Sequence, residues 1–254
     1  SFQCCRKLQM VEFAPNSELE IIESGAFSYT GIIRISIPPL ITKIREYVFQ
    51  SCSNLMTIDI PENSEITSIE SKAFMRSLVE KLFFPKKLSN LHDDWCAYTS
   101  NLNQIVVSPE NKNFVFKDNQ LLLGKTDPQS EIFDIVLFGR RDLETIEIPS
   151  NVKIINPYSF HLCEDLKNVA IFDDSDLHTI KNYAFAQSKI EKISLPKNVS
   201  VLGRDVFYSC YDLKFVEIPE NYKLNSLNEI IYCGSPIIQF MIPFKLKNLL
   251  NSNP

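Results

Sequence analysis

The seven cysteines and three histidines of this 254-residue chain are the side chains that could supply a nucleophile or bind a metal ion. Zinc sites need ligands at short, regular spacings, but the sequence has no Cys-x-x-Cys pair and its histidines, His92, His161 and His178, are not spaced as metal ligands. His161 precedes Cys163 by two residues, yet a Cys-His nucleophile also needs an orienting third group and an oxyanion site, and the sequence indicates neither. The six glycines form no phosphate-binding loop. We therefore predict no catalytic residues, no metal site and no cofactor, and hence no enzyme.

A short apolar segment that recurs along the chain determines where these side chains lie. Its pattern is an apolar residue, two others, apolar, one other, apolar and usually Pro, as in LMTIDIP from Leu55. The ten copies begin at Leu8, Ile32, Leu55, Val79, Leu102, Leu143, Leu166, Ile190, Leu213 and Ile237. Their spacing is nearly constant, except for one much longer interval between Leu102 and Leu143. The alternating apolar residues predict a strand with one buried face, which the proline ends because it has no N–H for the ladder.

A second apolar pattern lies between successive strands. It has two apolar residues three positions apart and an aromatic residue five positions later, as at Ile66, Ile69 and Phe74. We expect this segment to turn the chain back on itself, with the phenylalanine in the middle of the turn. One turn of about 23 residues buries too little apolar surface to offset its conformational entropy, so the turns must stack into a solenoid.

The two patterns together resemble one known family. The segments ITSIESKAF, which ends at Phe74, and FYSCYDLKFVEIP, from Phe207 to Pro219, are similar to the BspA-like leucine-rich repeat, LxxIxLPxxLxxIxxxAFxxCxxL, and the similarity covers essentially the whole chain. The resemblance implies a leucine-rich-repeat solenoid of the curved α/β-horseshoe type, dominated by strands with little helix. We expect ten or so coils, each of roughly 23–24 residues, with a parallel concave sheet and one continuous solenoid over residues 1–254. The family also implies a binding protein of the surface-antigen or adhesin type.

Four cysteines occupy one position of the repeat, three residues after its phenylalanine. They are Cys5, Cys52, Cys163 and Cys210. We expect this position to face the core, where a thiol behaves as a small apolar group. The members of each pair, Cys5 with Cys52 and Cys163 with Cys210, are two turns apart, or roughly 9 to 10 Å at ~4.8 Å per strand, which exceeds the ~7 Å that a disulfide spans. We therefore predict free buried thiols, which leave the cellular compartment open.

The concave sheet is the usual binding surface of a solenoid. Its exposed side chains are the second and fourth residues after each strand start, and most of them are polar. Large apolar residues among them are typical of interface anchors, although isolated apolar surface residues are also common. The predicted partner-binding residues are Phe83 beside Val106, and Phe215 diagonal to Met241, with Lys81, Asp59, Glu147 and Glu217 as rim charges that orient the partner.

The long interval predicts an excursion of the chain within residues 109–141. Apolar runs at 114–116 and 121–123 flank the polar residues 117–120, which indicates a tight reversal, and a third apolar run follows at 134–138. The excursion is either a projecting recognition loop or an embellishment of the repeat. Both ends of the chain fall inside a repeat, so we expect truncated repeats there.

Composition narrows the class of partner. A formal net charge of −5 and a pI near 5.4 argue against nucleic acid, and the longest uncharged stretch, residues 230–244, is too short and too interrupted to span a membrane. No signal peptide is visible. The leading hypothesis is a cell-surface or secreted protein that binds a protein or a host or matrix macromolecule. The alternative is an intracellular scaffold that binds a protein partner through the same face.

Overall fold

We obtained the fold as a computed structural model, which describes residues 1–218 and the backbone of the strand Gln239–Met241. The chain divides into two compact units, residues 1–122 and 123–254. Across the described residues both units consist of strands and turns, without α-helix. This confirms the strand-dominated repeat fold that the sequence predicts.

Nineteen short strands make up the regular structure of the described residues. In the first unit they are β1 (Met10–Val11), β2 (Arg34–Ser36), β3 (Lys43–Ile44), β4 (Thr57–Asp59), β5 (Ser68–Ile69), β6 (Lys81–Phe84), β7 (Asn90–Leu91), β8 (Gln104–Val107) and β9 (Val115–Lys117). Strand β10 (Leu121–Gly124) contains the boundary between the units. The second unit holds β11 (Ile135–Gly139), β12 (Thr145–Glu147), β13 (Ile154–Ile155), β14 (Asn168–Ala170), β15 (Thr179–Ile180), β16 (Lys192–Ser194), β17 (Val201–Leu202), β18 (Phe215–Glu217) and β19 (Gln239–Met241).

The first unit contains two parallel sheets. Five copies of the apolar pattern pair in the order β1-β2-β4-β6-β8, and the turn-back segments pair as β3-β5-β7. Equivalent positions of successive copies lie in register, so that Ile35 is opposite Ile58 and Leu82 is opposite Ile105. All four of these side chains are buried, whereas the residues on either side of them are less buried or exposed. The period of two that the sequence predicts is therefore confirmed.

The second unit repeats this arrangement. Its larger sheet has the order β12-β14-β16-β18-β19, and its other sheet includes the order β17-β15-β13-β11-β10. The ten copies of the pattern thus form two five-stranded sheets, where the sequence predicted one parallel sheet. The long interval of the sequence separates the two sheets along the chain. Its strands pair with the turn-back segments and not with the pattern strands, so the series of pattern strands is interrupted.

The phenylalanine of each repeat packs against its equivalents in neighbouring turns. In the first unit the rings of Phe2, Phe27, Phe49 and Phe74 are stacked with centroids 5.8, 5.9 and 5.8 Å apart. In the second unit Phe160 stacks on Phe185 at 4.9 Å and Phe185 on Phe207 at 5.8 Å. Offset or stacked aromatic pairs at these separations add to the apolar area that they bury. The aromatic column is thus the centre of each unit's core.

Left-handed backbone conformations frame this aromatic column. The residues two before and two after the phenylalanine have positive φ, as at Tyr47 (58°) and Ser51 (54°) around Phe49. The same pair recurs as Tyr183 (57°) and Gln187 (57°) around Phe185. Positive φ costs a residue with a Cβ free energy, about 1 kcal/mol or more. The stacking of neighbouring turns offsets this cost.

The region 109–141 contributes three strands. The residues Asp118 (φ 51°) and Asn119 (φ 55°) reverse the chain between β9 and β10, and the N–H of Gln120 donates to the carbonyl of Lys117 at 2.9 Å. Positive φ at both central residues is the type I′ hairpin turn that Asp and Asn favour. Strand β11 then pairs in parallel with β13, so this region extends the turn-back sheet of the second unit.

Candidate partner-binding faces

The exposed side chains of the two larger sheets form two separate faces. We define the first face as the exposed side chains of β1, β2, β4, β6 and β8, together with Glu12, and the second face as those of β12, β14, β16 and β18. The residues between these side chains, such as Leu82 and Val216, are buried. Among the described side chains, Asp59, Lys81, Phe83, Val106, Glu147, Phe215 and Glu217 therefore lie on the solvent side of their strands.

The apolar pair predicted on the first face lies on adjacent strands. Phe83 of β6 is directly opposite Val106 of β8. Val106 is 36% exposed, whereas Phe83 is partly buried. Side chains at opposite positions of neighbouring strands are in contact range. The two form a small apolar patch at one end of the first face.

A charged pair occupies the middle of the first face. Arg34 Nε donates to Asp59 Oδ2 at 2.6 Å, and Ser36 Oγ donates to the same oxygen at 3.3 Å. The hydrogen bond to Asp59 raises the pKa of the Arg34 guanidinium above its ordinary value. Asp59, which the sequence suggests as a rim charge, is therefore already engaged within the face.

The second face carries an exposed aromatic ring. Phe215 is 44% exposed and lies opposite Lys192 on one side and opposite the backbone of Gln239 on the other. Glu217 accepts a hydrogen bond from Ser194 Oγ at 2.8 Å, and Glu147 is exposed on β12. The backbone of Met241 is opposite Glu217, which agrees with the predicted diagonal to Phe215. The side chain of Met241 and the repeat remnant after Pro243 lie outside the described residues.

The cysteine position of the repeat is a hydrogen-bonding position, which corrects the interpretation of these thiols as purely apolar groups. Cys52 is buried, and its thiol donates to the carbonyl of Phe27 in the preceding turn at 3.0 Å. Cys210 does the same to the carbonyl of Phe185 at 3.0 Å. In other turns this position is Thr30 or Ser77, whose hydroxyls donate to the carbonyl of the phenylalanine in their own turn at 2.8 and 2.7 Å. The sequence could have revealed this hydrogen-bonding role, because Cys, Ser and Thr, which alternate at this repeat position, are the small side chains that carry a hydrogen-bond donor.

The prediction that Cys5 is a buried thiol is wrong. Cys5 is exposed, as is Cys4 beside it. Cys52 is covered by the turn that precedes it, and its thiol donates into that turn. Residues 1–7, which include Cys5, are all exposed. The thiols of Cys52 and Cys163 are buried and take part in no disulfide, as the sequence predicted.

The cysteine and histidine that are close in sequence are both held in a buried environment. Burial raises the pKa of the Cys163 thiol, although the nearby Arg141 opposes this effect. Burial and then the charge of Arg141 lower the pKa of His161 to about 3, and its Nε2 lies 3.0 Å from Oε1 of Gln187. A buried thiol with a raised pKa stays protonated at neutral pH and is a poor nucleophile. This pair therefore has the character of core side chains.

A metal cluster and a membrane-spanning helix each have requirements that can be compared with the described part of the chain. No three His, Cys, Asp or Glu side chains gather closely enough within it to hold a metal ion. The same residues include no helix of the length and apolarity needed to cross a bilayer.

Comparison with known proteins agrees with this repeat architecture. The sequence profile described as "BspA type Leucine rich repeat region" matches residues 1–120 and 131–253, with six copies. No protein of curated function matches the chain.

Three solved structures are similar to this chain. A leucine-rich repeat protein from Eubacterium ventriosum has a TM-score of 0.63 at 21% identity, over 79% of this chain and 61% of that protein. The pneumococcal vaccine antigen PcpA has a TM-score of 0.69 at 21% identity, over 85% of this chain and 57% of PcpA. A leucine rich cell surface protein from Faecalibacterium prausnitzii has a TM-score of 0.66 at 18% identity, over 87% of this chain and 70% of that protein. The chain thus spans less than two thirds of the first two, and identities this low show a shared fold.

Proposed function

We propose, from the premise that this chain belongs to the BspA type leucine-rich repeat family, that it is a non-catalytic protein which binds another macromolecule on its two sheet faces. The observation that carries the proposal is the placement of Phe83 with Val106, and of Phe215, on the exposed side of parallel sheets. Stacked repeats create extended surfaces of this kind, and leucine-rich and related solenoids use them for binding. Large apolar side chains surrounded by polar ones are typical energetic centres of such surfaces.

We infer a cell-surface or secreted location and a role in adhesion or as a surface antigen. The support is that two proteins with the same fold are a vaccine antigen and a cell surface protein. The partner would then be a host or matrix macromolecule.

An intracellular scaffold that binds a protein through the same faces is the second candidate. The observation that favours it is the pair of adjacent exposed thiols, Cys4 and Cys5. Exposed thiols persist more readily in a reducing compartment than outside the cell. Labelling of intact source cells with a membrane-impermeant biotin reagent separates the two, because only a surface protein is labelled before lysis.

The binding proposal is tested with the Phe83→Asp Phe215→Asp variant of the full chain. Immobilised wild-type and variant proteins are exposed to matrix proteins and to detergent extracts of cells, and retained proteins are quantified. We expect the variant to lose retention about tenfold or more, because removing an interface anchor costs about 2 kcal/mol. Tyr211→Asp, which changes an exposed aromatic residue in the turn before β18 and outside both faces, is the matched control.

Circular dichroism and the fluorescence of Trp95, the single tryptophan of the chain, report whether each variant is folded. Phe83 is partly buried, so Phe83→Ser provides a second variant if the aspartate prevents folding. Equal retention by a folded double variant and the wild type would contradict the proposal.

A further inference from the structure

One position of the repeat forms a column along the edge of each larger sheet. It is the second residue of each copy of the apolar pattern, immediately before the strand. In the first unit we call it the first edge column, and its members are Gln9, Ile33, Met56, Glu80 and Asn103. The N–H of each member from Ile33 onward donates to the carbonyl of the member before it, at 3.0 to 3.2 Å. The column is therefore continuous from turn to turn.

The same position of the second unit carries alternating charges. Its members are Glu144, Lys167, Glu191 and Lys214, and all four are exposed. Lys167 pairs with Glu144 at 3.4 Å, and Lys214 pairs with Glu191 at 3.7 Å. The repeat fold thus accepts charged side chains at this position and does not require apolar ones.

The middle of the first edge column is apolar and open to solvent. Ile33 is 47% exposed and Met56 is 45% exposed. Leu78, in the same turn as Glu80, is 37% exposed. Neighbouring strands lie about 5 Å apart, so the side chains of Ile33 and Met56 are adjacent. Isolated apolar surface residues are common, but adjacent ones at a position that the second unit fills with charge indicate a contact surface.

The two ends of the first edge column differ in charge. Glu80 is exposed at one end. At the other end Gln9 is exposed, and Lys7 is exposed two residues before it. A donor end, an apolar middle and an acidic end match a second copy of the same column in antiparallel orientation. A two-fold axis between Ile33 and Met56 would bring unlike ends together.

We propose that two copies of this chain associate through their first edge columns, antiparallel and about a two-fold axis. Ile33 of each copy packs on Met56 of the other, and Glu80 of each copy pairs with Lys7 of the other. Interfaces well below ~800 Å² per partner are typically weak, so this short column gives a reversible dimer with micromolar or weaker affinity. Phe83 and Phe215 lie outside the column, so the inference goes beyond the proposed function.

Other occupants fit the first edge column less well. A nucleic acid would bring phosphates against the carboxylate of Glu80 and against two apolar side chains. A polysaccharide would leave Ile33 and Met56 against a largely polar surface. A second copy supplies both an apolar surface and the opposite charge at each end.

The test is sedimentation velocity of the full chain over a wide range of concentration, with a reductant present because Cys4 and Cys5 are exposed. We expect the wild type to change from monomer to dimer as its concentration rises. The Ile33→Lys Met56→Lys variant should dimerise about tenfold more weakly or less, because it replaces the apolar contact by like charges. Ile132→Lys changes an isoleucine that is 55% exposed outside the column, and it should dimerise like the wild type.

The charged ends are tested by exchanging their residues. Lys7→Glu and Glu80→Lys are each expected to weaken the dimer about threefold, because each brings like charges together across the interface. The Lys7→Glu Glu80→Lys variant should recover the wild-type affinity, because unlike charges meet again in the antiparallel arrangement. Trp95 fluorescence reports whether each variant is folded, and Lys167 and Lys214 show that lysine is accepted at the positions of Ile33 and Met56.

Three outcomes overturn the inference. They are a wild type that stays monomeric at every concentration, undiminished dimerisation of the Ile33→Lys Met56→Lys variant, and no recovery in the exchanged variant. A monomeric wild type that loses retention of another macromolecule through Ile33→Lys Met56→Lys would assign the column to a different partner. The proposed function is read separately, from retention by the Phe83→Asp Phe215→Asp variant.

Discussion

At the scale of single residues, the cysteine position illustrates how one side chain serves two purposes. Cys52 fills a small buried site and also donates a hydrogen bond to the carbonyl of Phe27. Thr30 and Ser77 occupy the same position with hydroxyl donors. The exchange of thiol and hydroxyl among turns indicates that a small hydrogen-bond donor is favoured there, because the bond that it makes contributes to stability.

The cysteine position gives the first prediction at this scale. Cys52→Ser is expected to be more stable than Cys52→Ala by about 1 kcal/mol, because serine can donate to a phenylalanine carbonyl as Ser77 does and alanine cannot. Urea unfolding followed by Trp95 fluorescence measures the difference in the first unit. If alanine equals or exceeds serine, the site is merely small and apolar.

The buried histidine gives a prediction about pH. The pKa of His161 is about 3 in the folded protein, against 6.5 for an unperturbed histidine. Between these values the unfolded chain binds a proton that the folded chain does not, so the free energy of unfolding falls as the pH drops from 6.5 toward 3. The loss at pH 5 is expected to be about 2 kcal/mol.

This contribution is isolated by comparing wild type with His161→Gln in urea at several pH values. We expect the difference in unfolding free energy between the two proteins to be constant above pH 7. As the pH is lowered to 5, the wild type should lose stability relative to the variant. Parallel curves over the whole range would show that His161 takes up its proton equally in both states.

At the scale of elements, the turn around each phenylalanine is more specialised than its sequence suggests. Two residues per turn adopt positive φ, but among the described residues only one of these positions is a glycine, Gly25 (φ 65°). Tyr47, Leu162 and Tyr183 hold the same conformation despite their bulky side chains. Local propensity disfavours this backbone, so packing and hydrogen bonds between successive turns must impose it. The conformational preferences of the individual residues therefore could not have predicted the left-handed turns.

The region 109–141 shows a related effect of context. Its apolar runs predict strands, and β9, β10 and β11 occur there. The partner of β11 was not predictable, because the run 134–138 has no proline or turn-back signature that assigns it to either ladder. Gly139 at the end of β11 allows the ring of Phe160 to approach, since a Cβ there would lie 2.2 Å from Cε1 of that ring. The choice of sheet depends on this fit with the following turn.

At the scale of the whole molecule, stability comes from contacts between neighbouring turns. Exposed ion pairs such as Lys167 with Glu144 at 3.4 Å and Lys214 with Glu191 at 3.7 Å link adjacent turns, but pairs of this kind contribute little. The stacked rings bury far more apolar surface. In a repeat protein the total stability is approximately a sum over such neighbouring interfaces.

The aromatic column of the first unit tests this view. Phe49→Ala removes a fully buried ring that stacks on both sides, and we expect it to cost about 3 to 5 kcal/mol. Phe2→Ala removes a ring that is 47% exposed and stacks on Phe27, so it should cost much less. Urea unfolding monitored through Trp95 fluorescence compares the two variants. Similar losses would contradict a stability that depends on neighbouring turns.

The sequence by itself determined the class of fold, the positions of the pattern strands and the inward or outward direction of their side chains. It could do so because burial follows a period of two within a strand and the strands themselves recur at a nearly constant interval. Tertiary structure alone decided the division into two five-stranded sheets, the left-handed turns and the exposure of Cys5. It also decided that Asp59 is paired with Arg34. These features depend on which groups neighbouring turns bring together, and a repeating pattern contains the spacing of those turns but not the contacts between them.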